Sequence, residues 1–281
     1  MAQLAVITGG GGGMGLSVAR IMGRDHSVLI SDVDEDRLKS ASRQLSDDGI
    51  DCTTATCDIT DPASVRQLIA RAQQLGTIRS LVHTAGVSPS MGSAELIVRI
   101  NAVGTVVVND AFFDIAEPGM ALVNVASVAG HQLPKMLAPQ RSYRVAMAGD
   151  VERLHSRLVS ICNRFPAKRR PQLAYVLSKN FVIWYSKAIS AKFGGKGTRV
   201  VSISPGSFDT PMGKLEENAG AGALAQLGAL KRLGHPTEIA ELIAFVASDK
   251  PGYLTGTDII CDGGVMATMT LFDTLKLGRS N

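Results

Sequence analysis

Seven short apolar runs recur along this 281-residue chain, separated by longer stretches whose apolar residues repeat at helical spacing. The runs are LAVIT from Leu4, SVLIS from Ser27, CTTAT from Cys52, SLVHTA from Ser80, ALVNVAS from Ala121, TRVVSIS from Thr198 and DIICD from Asp258. Between them, Val65, Leu68, Ile69 and Ala72 form one apolar stripe, and Glu238 to Ala247 reads as another helix. Strand, crossover helix and strand in this rhythm predict right-handed βαβ units, hence an α/β fold with a doubly wound parallel sheet of Rossmann type. The expected organisation is a single domain over residues 1–264, with a helical insert near 131–172 and a C-terminal tail over 265–281. A content of 45% hydrophobic and 19% charged residues suits one sizeable core. The net charge of +4 is too small to point to nucleic acid. No unbroken apolar run of about 18 residues is present, and no basic leader precedes Leu4, so neither a membrane partner nor export is expected. Cys52, Cys57, Cys162 and Cys261 lack metal-binding spacing, which predicts no metal and free thiols in a reducing cytoplasm.

Two local patterns carry chemistry. The first strand runs straight into TGGGGGMG, Thr8 to Gly15, which opens a helical stretch. Backbone at such a turn approaches a pyrophosphate only where side chains are absent, and the helix N-terminus adds free amides. Asp32 follows at the end of the second strand, where a carboxylate accepts bonds from both adenosine ribose hydroxyls and repels a 2′-phosphate. No Arg or Lys lies in the loop or at position 33, so NAD is expected rather than NADP. The second pattern is AYVLSKN, Ala174 to Asn180. On a helix, Tyr175 and Lys179 share one face a turn apart, so a cation there would pull down a phenol pKa that is ordinarily about 10.

Together these segments resemble the short-chain dehydrogenase/reductase family, and the resemblance covers nearly the whole chain. TGGGGGMG fits the family's glycine loop, with Gly9, Gly13 and Gly15 in the glycine positions and Met14 between them. Asp58 and Ile59 of CDIT stand where the family contacts adenine, and Ala85 and Gly86 of HTAG where it usually has NNAG. Asn101, Ser127, Tyr175 and Lys179 match the catalytic tetrad. Pro205, Gly206 and Thr210 of SPGSFDT match the segment that meets the nicotinamide. The resemblance implies an NAD-dependent oxidoreductase interconverting a secondary alcohol and a ketone. Tyr175 would move the proton, Ser127 hold the substrate oxygen, Lys179 bind the nicotinamide ribose, and Asn101 kink its helix and hold a water linked to Lys179. Family habit implies a homodimer or homotetramer.

Three departures qualify this. His83 and Thr84 replace an asparagine pair; His83 is expected to be a satisfied strand residue and Thr84 to replace one amide contact. The segment from Gly86 to Asn101 is short, which predicts a truncated helix. Ser127 and Tyr175 lie 48 residues apart, some three dozen more than in most relatives. The insert between them has nine basic and two acidic residues, KRR at 168–170 included. Its residues Val151, Leu154, Leu158 and Ile161 form an apolar face, predicting an amphipathic helix buried on the body, on a second subunit or over the substrate cleft. Some bacterial 3α-hydroxysteroid dehydrogenase/carbonyl reductases are similar in both the short segment and the insertion, which suggests a hydroxysteroid or alicyclic alcohol. A Met-rich tail after Gly264 suits such a ligand or a subunit contact equally. The alternatives are a 3-oxoacyl thioester reductase, a sensor of NAD and NADH without turnover, and an inactive subunit partner.

Overall fold

A computed structural model describes residues 3–216 and 222–268. All seven apolar runs are strands: β1 (Gln3–Thr8), β2 (Ser27–Asp32), β3 (Cys52–Thr56), β4 (Thr77–His83), β5 (Ala121–Val125), β6 (Arg199–Pro205) and β7 (Thr257–Cys261). They form one sheet in the order β3-β2-β1-β4-β5-β6-β7, with every pairing parallel. The order reverses between β1 and β4, which opens a crevice at the carboxyl ends of those strands. The helices are α1 (Gly13–Met22), α2 (Glu35–Asp47), α3 (Pro62–Leu75), α4 (Ala94–Val98), α5 (Gly104–Asp114), α6 (Gln140–Tyr143), α7 (Val151–Cys162), α8 (Arg170–Gly194), α9 (Pro211–Glu216), α10 (Gly222–Leu227), α11 (Pro236–Ala247) and α12 (Val265–Thr268).

Local chemistry sets several helix starts. Asp34 caps α2 by accepting from the amides of Asp36 and Arg37, and Asp61 caps α3 ahead of Pro62. One apolar core lies under α3, α5 and α8 and the other under α1, α2 and α11, on opposite faces of the sheet. Cys57 belongs to the first and Cys52 packs against the second, so the two thiols face opposite ways; all four cysteines are free.

The short segment before Asn101, expected to be a truncated helix, forms α4, five residues that open a longer continuous helix. It continues through a π-turn, Arg99–Val103, into α5. The combined stretch Ala94–Asp114 is long and apolar enough to cross a membrane, yet 67% of its apolar 18-residue window is buried inside the fold, as befits a core helix. The insert's amphipathic helix is α7. Leu154, Leu158 and Cys162 are fully buried in the first core, against α4 and α8. Of the three places open to that stripe, the body is the one it occupies. Most of the insert's basic residues face outward, while half-buried Arg170 of the KRR run donates to the carbonyl of Phe165; the insert's Glu152 forms an ion pair with Arg99 of the π-turn. Val265 is buried and opens α12, while residues 269–281 of the Met-rich tail lie outside the described residues.

Candidate active site

The glycine loop leaves β1 and opens α1 with no room for side chains where it closes. A Cβ on Gly15 would stand 2.3 Å from the Gly9 carbonyl oxygen, and one on Gly9, at φ 71°, 2.7 Å from the Ala85 amide nitrogen. The loop therefore packs directly on the segment after β4, with the Thr84 hydroxyl donating to the Thr8 carbonyl at 2.7 Å. At the loop's crest the opposite holds: a Cβ on Gly12 would meet nothing within 4 Å. Open space beside bare amides at a helix N-terminus fits a pyrophosphate.

Around that loop the remaining cofactor positions gather unevenly. Asp32 ends β2 with its carboxylate on the loop, accepting from the Gly11 amide at 3.3 Å and the Asp34 amide at 3.2 Å. Thr210 lies across from Gly13, its Cβ 4.0 Å from where a Gly13 side chain would begin. Pro205 ends β6, and Gly206 is so close to the Asp262 backbone that only glycine fits. Met14 is half-buried against the α1 core. Asp58 is exposed, with Oδ1 taken by the amide and hydroxyl of Thr60, both at 2.8 Å. Ile59 is buried and its side chain packs on Gly104. Arg37 is a residue that reading the loop alone missed. It stands one turn into α2 beside Gly11 and pairs with Asp34 at 3.4 Å.

The four tetrad residues come together from three elements at the carboxyl edge of the sheet. Tyr175 and Lys179 lie a turn apart on α8, and Ser127 follows β5. The Ser127 side chain lies beside the Tyr175 phenol and caps the 3-10 turn Val128–Gln132, accepting from the Ala129 amide at 3.2 Å. Asn101 sits in the π-turn, clamped by two 2.9 Å bonds to the backbone of Val87. A Cβ on Gly86 would fall 3.1 Å from the Asn101 amide oxygen and 3.4 Å from Lys179 Nζ, so this glycine keeps the pocket floor open. The Asn101 main-chain carbonyl accepts from Thr105 at 2.8 Å.

The electrostatics of the pair Tyr175 and Lys179 have several sources. Burial pushes the phenol above its ordinary value, the Ser127 bond works against that rise, and the Glu216 carboxylate adds to it. Lys179 Nζ stands 5.9 Å from the phenol ring centre and donates to the Val125 carbonyl at 3.0 Å. Burial lowers its own pKa to about 8. Glu216, on α9, also accepts from the Ser90 amide at 3.1 Å and so bridges the cleft. No spacing rule points to that residue, because its partner lies 126 positions away. His83 is buried, bonded to Thr8 at 2.8 Å and Thr105 at 3.1 Å, and burial, then Lys179, lowers its pKa to about 3. It is a satisfied strand residue. Among the described residues, no cluster of three or more potential ligands fits a metal ion.

Comparison with known proteins agrees with this geometry. The family model described as short chain dehydrogenase matches residues 3–149, and that described as Enoyl-(Acyl carrier protein) reductase matches 160–266. Residues 150–159, the cap and most of α7, fall between the two matches. The chain is 31% identical over 278 residues to the short-chain dehydrogenase/reductase bsc3 of Alternaria brassicicola, covering 96% of this chain and 98% of that protein. It is 30% identical over 285 residues to oxidoreductase UcpA of Salmonella typhimurium, covering 98% and 97%. Among solved structures, a short chain dehydrogenase from Burkholderia cenocepacia in complex with NADP shares the fold. Its TM-score is 0.73 at 22% identity, over 93% of this chain and 97% of that one.

Proposed function

The chain belongs to the short-chain dehydrogenase/reductase family, and on that premise we propose that it interconverts a secondary alcohol and a ketone with NAD(H). The observation that carries this is the meeting of the Ser127 hydroxyl, the Tyr175 phenol and the Lys179 amine beside the glycine loop. A bound nicotinamide cofactor supplies or takes the hydride. The protein's own residues do the rest. Gly9 and Gly15 let the loop close tightly on the segment after β4, Gly13 at the open crest lets the backbone approach the pyrophosphate, and Thr210 stands opposite Gly13 to meet the nicotinamide end. Ser127 holds the substrate oxygen near Tyr175, fixing its distance and direction. Tyr175 takes the hydroxyl proton in oxidation and returns it in reduction. Lys179 places a positive charge on the same side, and Asn101 keeps the helix opened at the pocket floor.

The leading substrate class is a hydroxysteroid or other alicyclic alcohol, supported by the resemblance of the short segment and insert to bacterial hydroxysteroid dehydrogenases. The assembly is read as a cytoplasmic homodimer or homotetramer on family habit. The test is NAD⁺ reduction, followed by absorbance, with hydroxysteroids, alicyclic alcohols and 3-hydroxyacyl-CoA esters. Tyr175→Phe is expected to bind NADH as the wild type does while turnover falls by about a hundredfold or more. Unchanged turnover would remove Tyr175 from the mechanism.

The preference for NAD rests on the Asp32 carboxylate beside the loop. Asp32→Ala is expected to lower the ratio of NAD to NADP efficiency by about tenfold to a hundredfold, the worth of a bond to a charged group. An unchanged ratio would show that the ribose is read elsewhere. Arg37 favours the second reading, a thioester reductase using NADP, because it already stands beside Gly11.

A further inference from the structure

The insert reaches the catalytic serine through two side chains, and we propose that Tyr143 and Asn180 are positioning residues that hold the Ser127 turn against Tyr175. The inference rests on the alcohol–ketone reading of this site.

The 3-10 turn capped by Ser127 lies directly on α8. A Cβ on Gly130 would stand 2.7 Å from the carbonyl carbon of Lys179 and 2.8 Å from the amide nitrogen of Asn180. At that contact the Asn180 side-chain amide donates to the Gly130 carbonyl at 2.8 Å. A carbonyl only accepts, so Asn180 must turn its NH₂ group to Gly130 and its oxygen the other way. That oxygen accepts from the Tyr143 hydroxyl at 2.9 Å. The same hydroxyl is 3.2 Å from the Leu177 carbonyl, so the shorter bond is the one to Asn180.

Tyr143 is the last residue of α6, within the insert, and it cannot shift easily. Its ring is fully buried, edge-on to Phe181 at 5.3 Å and beside Trp184 at 5.6 Å. Burial raises its phenol well above the ordinary value, so the hydroxyl stays a donor. The chain of contacts therefore runs from the insert's packed core through Asn180 to the turn that carries Ser127. On the turn's other side, His131, the residue at which the insert begins, bonds Asp258 at 2.8 Å and Ser204 at 3.2 Å, an anchor separate from Tyr143 and Asn180. The bond from Asn180 to Gly130 thus staples α8 to this turn, next to where the Ser127 and Tyr175 side chains meet. Removing it frees the Ser127 turn to drift, and a small drift of an orienting hydroxyl lowers the rate of proton transfer.

The test compares wild type with Tyr143→Phe, which removes only the hydroxyl. It adds Asn180→Asp, which keeps an acceptor for Tyr143 but removes the donor to Gly130. Hydrogen exchange of the Ala129 and Gly130 amides reads the turn, kcat and KM on the alcohol the panel identifies read catalysis, and fluorescence reads NADH affinity. Both variants are expected to speed exchange at those amides and lower kcat by about fivefold to tenfold, with KM and NADH affinity within about twofold. Wild-type exchange and kcat in Tyr143→Phe would overturn the proposal. So would a loss of kcat and NADH affinity together with faster exchange along all of α8, which would mark general loosening. If Tyr143→Phe fails to fold, Asn180→Asp decides by the same readings. A wild type inert towards every alcohol would count against the proposed function alone, because the exchange rates still decide what holds the turn.

Discussion

At the scale of single residues, the bonds around His83 have forced directions. Thr105 spends its hydroxyl proton on the Asn101 carbonyl, so it accepts from His83 Nε2, and Nδ1 is left to accept from Thr8. A neutral imidazole thereby ties the residue before the glycine loop to the π-turn that holds Asn101. The sequence marks His83 as a strand residue with partners, but Thr8 and Thr105 lie 75 and 22 positions away, beyond any local pattern. The arrangement carries a pH signature. Between pH 6.5 and about 3 the unfolded chain binds a proton at this ring that the folded chain refuses, so stability falls as pH falls through that window. The contribution is about 1.4 kcal/mol for each pH unit within it. In His83→Gln this part of the slope is expected to vanish, as urea unfolding at several pH values down to the window's lower end would show. A slope equal to that of wild type would mean that His83 takes up its proton in the fold.

Whole elements were legible to the extent that their signals are local. Each strand is a short apolar run between turn residues, and α7 shows itself by one stripe, so both stand at the positions their patterns indicate. The π-turn at Asn101 has no such signature; it exists because Asn101 is clamped to Val87 across the pocket. Likewise the stripe of α7 gives its burial but not its partner, since α4 and α8 become neighbours only through the sheet's winding. The docking is nonetheless strong enough to measure. Leu158→Ala, in a fully buried site, is expected to cost about 2–5 kcal/mol of stability. Arg153→Ala, on the exposed face of the same helix, should stay within about 0.5 kcal/mol. Chemical denaturation of both variants checks the contrast, and a small loss at Leu158 would mean that the insert contributes little to the core.

Over the whole molecule, the two cores lie on one sheet and α7 of the insert packs into the first of them. The single tryptophan, Trp184, sits on α8 in the aromatic cluster with Tyr143 and Phe181 and reports this junction. Its fluorescence and the far-ultraviolet circular dichroism are expected to change at the same denaturant concentration. An earlier fluorescence transition would show the insert leaving first. The buried thiols sharpen that distinction. Cys57 follows β3, in the body of the sheet's first core, while Cys162 ends α7, in the insert's own contact with that core. Burial shields both and raises their pKa values, Cys162 to about 11, so at neutral pH an alkylating reagent reaches them only during an opening. The chain thus carries two internal clocks, one ticking when the body opens and one when the insert lifts. Equal rates would describe a molecule that breathes as one, and a faster Cys162 would describe a frame around the catalytic serine that loosens while the rest stays shut.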